Sequence, residues 1–326
     1  MDQLPFARRS WSAPPQRWSA VMICMAGGAV AALALPSAAS RQQERLADPL
    51  AHLGRPTFDE RFATFDHGVD QQRPVAPRRP HRWRTVYGYG GADAISNRQM
   101  SATSFASDKW FSGMGPHVVA GKPLRLDPFV HHRRQLTIIG RPVPSRLREG
   151  VWNKPFYGGA ITTKFSFAQR FGYFEIVARL PAGKGMWPAF WLMPVDGVWP
   201  QAGEIDIVEG LGDPRTIFCT VIAGKTQVQA KVRLDFDASA AFHRYGLLWT
   251  PETLTWYVDR LRVAATATPP ELRDRDMYMI ANLAIGGAWG GYPDAQTRFP
   301  ARYTIRRITA WPLPQGQPRR AYRAER

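Results

Sequence analysis

The chain has 326 residues, of which 44% are hydrophobic and 21% charged, and its formal net charge is +17 at pH 7. This composition excludes a fully disordered chain, and the 12 Trp, 28 Gly and 28 Pro favour short strands joined by turns over long helices. Of the two cysteines, Cys24 lies in a predicted leader and Cys219 in an apolar run, so we expect a buried, unreactive thiol and no disulfide framework.

Residues 1–39 have the pattern of a secretory signal peptide. Arg8 and Arg9 precede the uncharged apolar stretch at 20–35, and small residues follow it up to Ala39. This stretch is shorter than the about 20 residues that a helix needs to span a bilayer. We expect cleavage after Ala39, a secreted or periplasmic protein and no stable membrane span after cleavage. An uncleaved anchor is the alternative.

The rest of the chain divides by composition. Residues 40–56 are polar and mixed, as in a linker, and residues 57–312 are expected to form one folded domain. Within this domain, residues 71–84 are rich in Arg and Pro and are predicted to form a surface loop. Residues 313–326 have no apolar period and are predicted to be a basic disordered tail.

Short apolar segments separated by turn residues predict an all-β sandwich. No segment has the pattern of an amphipathic helix of three turns, and no repeat with a period of about 20–50 residues is present. Strands are predicted at residues 161–167, 171–180, 187–194, 244–250, 254–259, 278–284 and 303–311.

A short acidic segment carries the chemistry. Residues 204–209 read Glu-Ile-Asp-Ile-Val-Glu, which places three carboxylates in an apolar strand. Strand alternation puts Glu204 and Asp206 on one face but turns Glu209 toward the core, where an unpaired carboxylate costs several kcal/mol. One extra residue in the strand, a β-bulge, returns Glu209 to the face of the other two acids. We therefore predict a bulge at Ile207-Val208.

Paired carboxylates are the catalytic groups of glycosidases, and retaining enzymes hold them about 5–5.5 Å apart. Glu204 and Glu209 have the reach for this, whereas the shorter Asp206 is suited to hydrogen-bond one of them. The negative charge of Glu204 is expected to raise the pKa of Glu209, while nearby donors keep Glu204 ionised. An exposed acidic edge strand that opposes pairing is the simpler reading, but the apolar neighbours disfavour it.

Other motifs follow the same order and spacing as those of a known family. They are residues 158–163, 173–192, 242–251, 256–259 and 281–289. Together with the acidic strand they resemble glycoside hydrolase family 16, in its bulged, laminarinase-like form. The resemblance extends over residues 57–311, so it identifies the predicted domain as the catalytic one. It implies a concanavalin-like jelly roll of two curved antiparallel sheets, with a cleft across the concave sheet.

The resemblance also implies a secreted, retaining, endo-acting hydrolase that cleaves β-linked glucan or bacterial exopolysaccharide by double displacement. In it, Glu204 matches the nucleophile, Glu209 the general acid/base and Asp206 the assisting acid. Sugar rings can lie on indole faces, and Asn offers both donor and acceptor groups to hydroxyls. For Trp191, core packing is an equal alternative. The predicted substrate-binding residues are Asn97, Arg179, Trp187, Trp191, Asn282 and Trp289.

Two segments depart from the family pattern. Where the family often has His-x-Thr-x-His, this chain has Phe218, Thr220 and Ile222, which puts the usual laminarin-type substrate in doubt. Where the last strand often carries a calcium-binding Asp, this chain has Arg306, which has no oxygen ligand to offer. We expect no metal and no cofactor. The basic charge favours an acidic exopolysaccharide as substrate.

Two other functions remain open on the same fold. A transglycosylase would pass the glycosyl group to a sugar, and a non-catalytic polysaccharide-binding protein would need the aromatic residues without both Glu. No nucleic-acid-binding motif is present in the sequence, so nucleic acid is not an expected partner. The protein is expected to be a monomer.

Overall fold

The computed structural model of the protein describes residues 48–68, 81–87, 95–114 and 122–314. The predicted signal peptide at 1–39 lies outside the described residues. So do 40–47 of the predicted linker and 315–326 of the predicted tail. Within the described part of the chain, no helix has the length and hydropathy needed to cross a membrane.

The described residues form eighteen strands, one short α-helix at Ile95–Arg98, and three 3-10 helices at Ser145–Leu147, Glu149–Val151 and Pro270–Leu272. In chain order the strands are β1 (Phe58–Glu60), β2 (His67–Gly68), β3 (Trp83–Arg84), β4 (Ser104–Ala106), β5 (Phe129–His132), β6 (Gln135–Pro142), β7 (Phe156–Gly158), β8 (Ala160–Thr162), β9 (Gly172–Arg179), β10 (Met186–Pro194), β11 (Glu204–Gly210), β12 (Thr216–Ala223), β13 (Thr226–Arg233), β14 (His243–Trp249), β15 (Thr253–Val258), β16 (Leu261–Ala267), β17 (Met277–Ile285) and β18 (Ala301–Trp311).

These strands form two sheets. The first has the order β16-β15-β14-β9-β18-β6-β7-β4, with β1 beside β18 and β5 beside β6. The second has the order β13-β12-β11-β10-β17-β8-β3-β2. Neighbouring strands are antiparallel except for the pairs β2–β3 and β4–β7. The sequence-based prediction of an all-β two-sheet sandwich is confirmed.

The main core lies between the sheets, and alternation along the strands supplies it. In β9, every second side chain from Phe174 to Ala178 is buried there, as is every second side chain from Met277 to Ile285 in β17. Two sheets that each present one apolar face bury both faces when they pack together. The opposite faces of both sheets are therefore left for other contacts.

Most predicted strands are present, with ends that differ by one or two residues. The prediction for 161–167 is too long, because β8 ends at Thr162 and a turn follows it. In that turn the backbone N–H groups of Ser166 and Phe167 both donate to the carbonyl of Thr163.

Parts of two polar segments are held by buried side chains. Of the predicted surface loop at 71–84, residues 71–80 lie outside the described residues; in the remainder, Trp83 is fully buried in β3, and its Nε1 donates to Glu60 Oε2 at 3.1 Å. Within the predicted linker, Leu50 and Leu53 pack against the aromatic cluster of Tyr173, Tyr257 and Trp311. In both cases a few apolar side chains, not the average polarity, decide the position of the segment.

Candidate active site

The acidic strand β11 contains the predicted bulge. Asp206 pairs with Thr220 and Glu209 pairs with Phe218, so three residue steps on β11 match two steps on β12. The extra residue lies at 207–208, where the prediction placed it. A bulge of this kind bends the strand and changes which face its side chains occupy.

The bulge brings the three acids to one face. Glu204, Asp206 and Glu209 lie on the outward face of the second sheet, which we call the acid-bearing face. The apolar residues of the strand lie in the core between the sheets: Ile205, Ile207 and Val208. The strand thus satisfies both requirements that the sequence imposes, an apolar core and a shared position for the carboxylates.

Glu209 is only 7% exposed, and neutral donors hold it. Trp187 Nε1 donates to Glu209 Oε1 at 2.9 Å, and Thr220 also forms a hydrogen bond with the carboxyl group. Burial raises the pKa of Glu209 to about 8, and the negative charge of Glu204 adds to the shift, whereas the two hydrogen bonds oppose it. The predicted direction is right, but burial contributes more than the Glu204 charge that the sequence analysis named as the cause.

Glu204 and Asp206 share a hydrogen bond. It lowers the pKa of Glu204 and raises that of Asp206, as expected when a protonated Asp206 donates to an ionised Glu204. Trp199 Nε1 donates to Glu204 Oε2 at 2.6 Å and also favours the ionised form. Burial outweighs these donors at Glu204, so the pKa of Glu204 is raised above its usual value, and burial is also the largest cause of the strongly raised pKa of Asp206.

No Lys or Arg within the described segments forms an ion pair with these three acids. Burying a carboxylate without a counter-ion is costly, and such an arrangement is typical of a functional site. The trio can hold one proton ready for donation and one carboxylate ready for attack, which are the two roles that glycoside hydrolysis requires.

Aromatic side chains line the acid-bearing face beside Glu209. The ring centroids of Trp187 and Trp289 are 5.4 Å apart, and those of Phe218 and Trp289 are 5.1 Å apart. Farther along the face, Trp191 Nε1 donates to Asn282 Oδ1 at 2.8 Å. The structure therefore brings Trp187, Trp191, Asn282 and Trp289 together around the acids.

Asn97 lies next to this group but is buried. Its backbone carbonyl accepts a hydrogen bond from the Tyr87 N–H at 3.0 Å, and the Tyr87 ring centroid lies 6.1 Å from that of Trp191. Asn97 is thus placed beside the Trp191 end of the face, and its role in substrate binding stays a prediction.

The expectation that Arg179 lines the cleft is wrong. Arg179 is in β9 of the first sheet, and because alternate β9 side chains fill the core, it points away from the sandwich on the opposite side from the acids. Its guanidinium carbon lies 5.7 Å from the Phe242 ring centroid. Arg179 and Trp187 belong to the same sequence motif, so both were expected at the cleft. The turn between β9 and β10 carries the chain from one sheet to the other and separates them.

Arg306, at the position of the family's calcium-binding Asp, stacks on the same ring. It is exposed, and its guanidinium carbon lies 3.9 Å from the Phe242 centroid. Among the described residues, no group of three or more His, Cys, Asp or Glu is arranged to hold a metal ion. The absence of calcium here stays a prediction. Cys219 is buried with a raised thiol pKa, as its apolar surroundings predict.

Two residues at the site were missed or undervalued by the sequence analysis. Trp199 lies in the loop before β11, and strand alternation says nothing about where a loop side chain points. Thr220 was noted only as part of an altered motif, but the alternation in β12 places it on the face of Phe218 and hence beside the acids. That signal could have identified Thr220.

Comparisons with known proteins agree with this geometry. The model of "Glycosyl hydrolases family 16" matches residues 135–307, more than half of the chain. The endo-1,3-1,4-beta-glycanases EglC and ExsH of Rhizobium meliloti (strain 1021) are 42% identical over 172 residues and 41% identical over 170 residues. These alignments cover 50% and 51% of this chain but only 35% and 36% of those relatives.

Solved structures extend the likeness to the whole sandwich. The laminarinase catalytic domain from Thermotoga maritima superposes with a TM-score of 0.60 at 26% identity, over 79% of this chain and 97% of that one. The region matched by the family model contains the bulged acidic strand and the aromatic residues around it. The chain belongs to glycosyl hydrolase family 16.

Proposed function

We propose that the protein is a retaining, endo-acting glycoside hydrolase that cleaves β-linked glucan or bacterial exopolysaccharide. The observation that carries this proposal is the trio of acids on one face of a bulged strand. Asp206 and Glu209 are buried and Glu204 is half-buried, and among the described residues only neutral donors hold them. The names of the two Rhizobium meliloti relatives support the substrate class.

In the first step, the Glu204 carboxylate attacks the anomeric carbon while Glu209 donates its proton to the departing glycosidic oxygen. The bond between that oxygen and the anomeric carbon breaks, and an ester forms between the sugar and Glu204. The hydrogen bond from Asp206 and that from Trp199 Nε1 orient the Glu204 carboxylate for this attack. The raised pKa keeps Glu209 protonated up to about pH 8.

In the second step, Glu209 takes a proton from water and the water oxygen attacks the anomeric carbon. Glu204 leaves as a carboxylate, so one water is consumed and both acids return to their starting states. The ester removes the negative charge of Glu204, and this lowers the pKa of Glu209 at the stage where it acts as a base. Two inversions retain the β configuration.

The finer substrate and the location are also proposals. The positive net charge supports an acidic exopolysaccharide, and the apolar Phe218 and Ile222 argue against a laminarin-type glucan. The basic, apolar and small-residue pattern at 1–39 supports action outside the cytoplasm.

Two alternatives use the same face. A transglycosylase differs only in the acceptor that takes the sugar from Glu204. A binding protein would have no use for a buried, protonated Glu209 beside a carboxylate, and the perturbed acids therefore favour an enzyme.

A product analysis tests the proposal. The protein is incubated with a panel of β-glucans and bacterial exopolysaccharides, the products are sized by chromatography, and the first anomer released is identified by proton NMR. We expect internal cleavage with the β-anomer appearing first. An α-anomer first would contradict retention, release of single terminal sugars would contradict endo action, and products longer than the substrate would favour the transglycosylase.

A further inference from the structure

The edge strand β13 extends the acid-bearing face beyond the acids. Glu209 pairs with Phe218 on β12, and Phe218 pairs in turn with Lys231 on β13. Residues paired across strands share a face, so Lys231 lies on the acid-bearing face, two strands from Glu209. A side-chain hydrogen bond from Gln229 Nε2 to Thr220 Oγ1, at 3.2 Å, fixes β13 in this orientation.

Lys231 is an exposed cation that no described residue neutralises. Its neighbour on the same face, Arg233, is different, because Arg233 Nη1 lies 2.9 Å from Asp213 Oδ2. Lys231 has no ion pair or hydrogen bond with the residues in the described ranges. Its ammonium group therefore keeps three donors and a full charge for a ligand.

The strand between the acids and β13 offers few polar groups. Phe218 and Ile222 point to the acid-bearing face, and Thr220 already bonds with Glu209 and Gln229. A sugar ring can lie on Phe218 and Trp289, whose centroids are 5.1 Å apart. Polar contacts that distinguish one sugar from another in this region must then come from β13, where Lys231 carries the charge.

We infer that Lys231 forms a subsite for an anionic group carried by the polysaccharide. The lysine stem can lie along the Phe218 ring, since neighbouring strands are about 4.8 Å apart, and bring the ammonium to a carboxylate or sulfate on the sugar above it. This inference rests on the proposed polysaccharide hydrolase function. It goes further by assigning a preference for acidic chains to one residue in place of the net charge as a whole.

Lysine on an edge strand also opposes edge-to-edge pairing of sheets. That role would affect aggregation and would act equally on all substrates. The test therefore uses a ratio between substrates, which cancels any change in turnover or in the amount of active protein.

One β-glucan is prepared in three forms of equal substitution, carboxymethyl, sulfo and hydroxyethyl. The ratio of kcat/KM on each acidic form to kcat/KM on the neutral hydroxyethyl form is measured for the wild type, Lys231→Gln and Lys231→Arg. We expect Lys231→Gln to lower the ratio about 1.5- to 5-fold, the range of a solvent-exposed ion pair, and Lys231→Arg to restore it. The carboxymethyl and sulfo arms decide which anion is preferred.

Lys225→Gln is the matched control, because it removes the same charge from the β12–β13 turn. It should leave the ratio unchanged. In about 0.5 M NaCl, where the Debye length is below about 5 Å, the difference between wild type and Lys231→Gln should shrink. Equal ratios for Lys231→Gln and Lys225→Gln would overturn the inference, with or without increased aggregation.

A binding measurement separates this inference from the proposed function. Lys231→Gln is added to a Glu204→Gln background, and retardation in gels that contain each form of the glucan is compared. A selective loss of retardation by the acidic forms supports the subsite even if no form is cleaved. Equal losses on acidic and neutral forms contradict it, whereas absence of cleavage by the wild type contradicts only the hydrolase proposal.

Discussion

Glu175 and Glu209 are both buried acids on outward faces of the sandwich, but they lie on opposite sheets. Glu175 is 1% exposed, with Arg244 Nη1 at 2.9 Å and Arg260 Nε at 3.2 Å from its oxygens. Tyr173 Oη also donates to it, at 3.3 Å. Glu209 is buried to a similar degree, but its interaction partners within the described ranges are the neutral donors Trp187 and Thr220 and two other acids.

The difference separates a structural acid from a functional one. Burial removes the water that would stabilise the Glu175 carboxylate, and two guanidinium groups supply compensating positive charge. This acid can therefore stabilise the first sheet. The acids of β11 receive neutral donors instead, and the pKa of Glu209 rises to about 8. An acid that the fold leaves unneutralised is available for proton transfer.

The largest expected effect is that of Glu204→Gln. This change keeps the shape of the side chain and removes the nucleophilic carboxylate, so kcat on polysaccharide should fall at least about 10⁴-fold. Retardation in polysaccharide gels should persist, because the aromatic residues remain. Activity within about tenfold of the wild type would place the nucleophile elsewhere.

Glu209→Ala should come next, with a loss of about 10²–10⁴-fold on polymer. On an aryl glycoside whose leaving group needs no proton, added azide should restore turnover and yield a β-glycosyl azide, since the anion replaces water on the glycosyl–enzyme. An α-glycosyl azide from Glu209→Ala, together with a β-glycosyl azide from Glu204→Ala, would reverse the two assignments. NMR of the product distinguishes the two outcomes.

Glu209→Gln should stabilise the fold at alkaline pH. The unfolded chain releases this proton near the usual pKa of 4.5, whereas the folded protein keeps it until about pH 8. Wild-type stability therefore falls between these values by about 1.4 kcal/mol per pH unit, and the non-titrating Gln does not incur this loss. Denaturant melts at pH 5 and pH 8 should show a gain that grows to a few kcal/mol. A gain that is equal at both pH values would contradict the raised pKa.

Glu175→Gln should lower the stability of the fold and leave turnover unchanged, which is the opposite of the effect expected for the acids of β11. It leaves Arg244 and Arg260 without their carboxylate, but both are partly exposed, so we expect about 1–3 kcal/mol rather than the about 3–5 kcal/mol of a fully buried pair. Glu252→Gln, in the exposed turn before β15, is the matched control and should change neither stability nor turnover. A loss of kcat in Glu175→Gln would erase the contrast between the two faces.

The functional half of this contrast, at Glu209, could be predicted from the sequence, but the structural half, at Glu175, could not. Alternation in residues 204–209 conflicts with the burial of Glu209, and this conflict has one local solution, the bulge. The neutralisation of Glu175 has no such local signal, because Arg244 and Arg260 are far from it in the chain and approach it only through the β9–β14 pairing. Arg179 failed for the same reason, since sheet membership depends on long-range pairing.

The most direct test of the account is to trap the glycosyl–enzyme. The protein is incubated with a 2-deoxy-2-fluoro-β-glycoside that has a good leaving group, digested with protease and mapped by mass spectrometry. The account predicts one covalent sugar, attached to Glu204 in the peptide that contains β11, and no label in Glu204→Gln. A sugar attached to Glu209 or Asp206, or full turnover of the reagent with no covalent species, would contradict it.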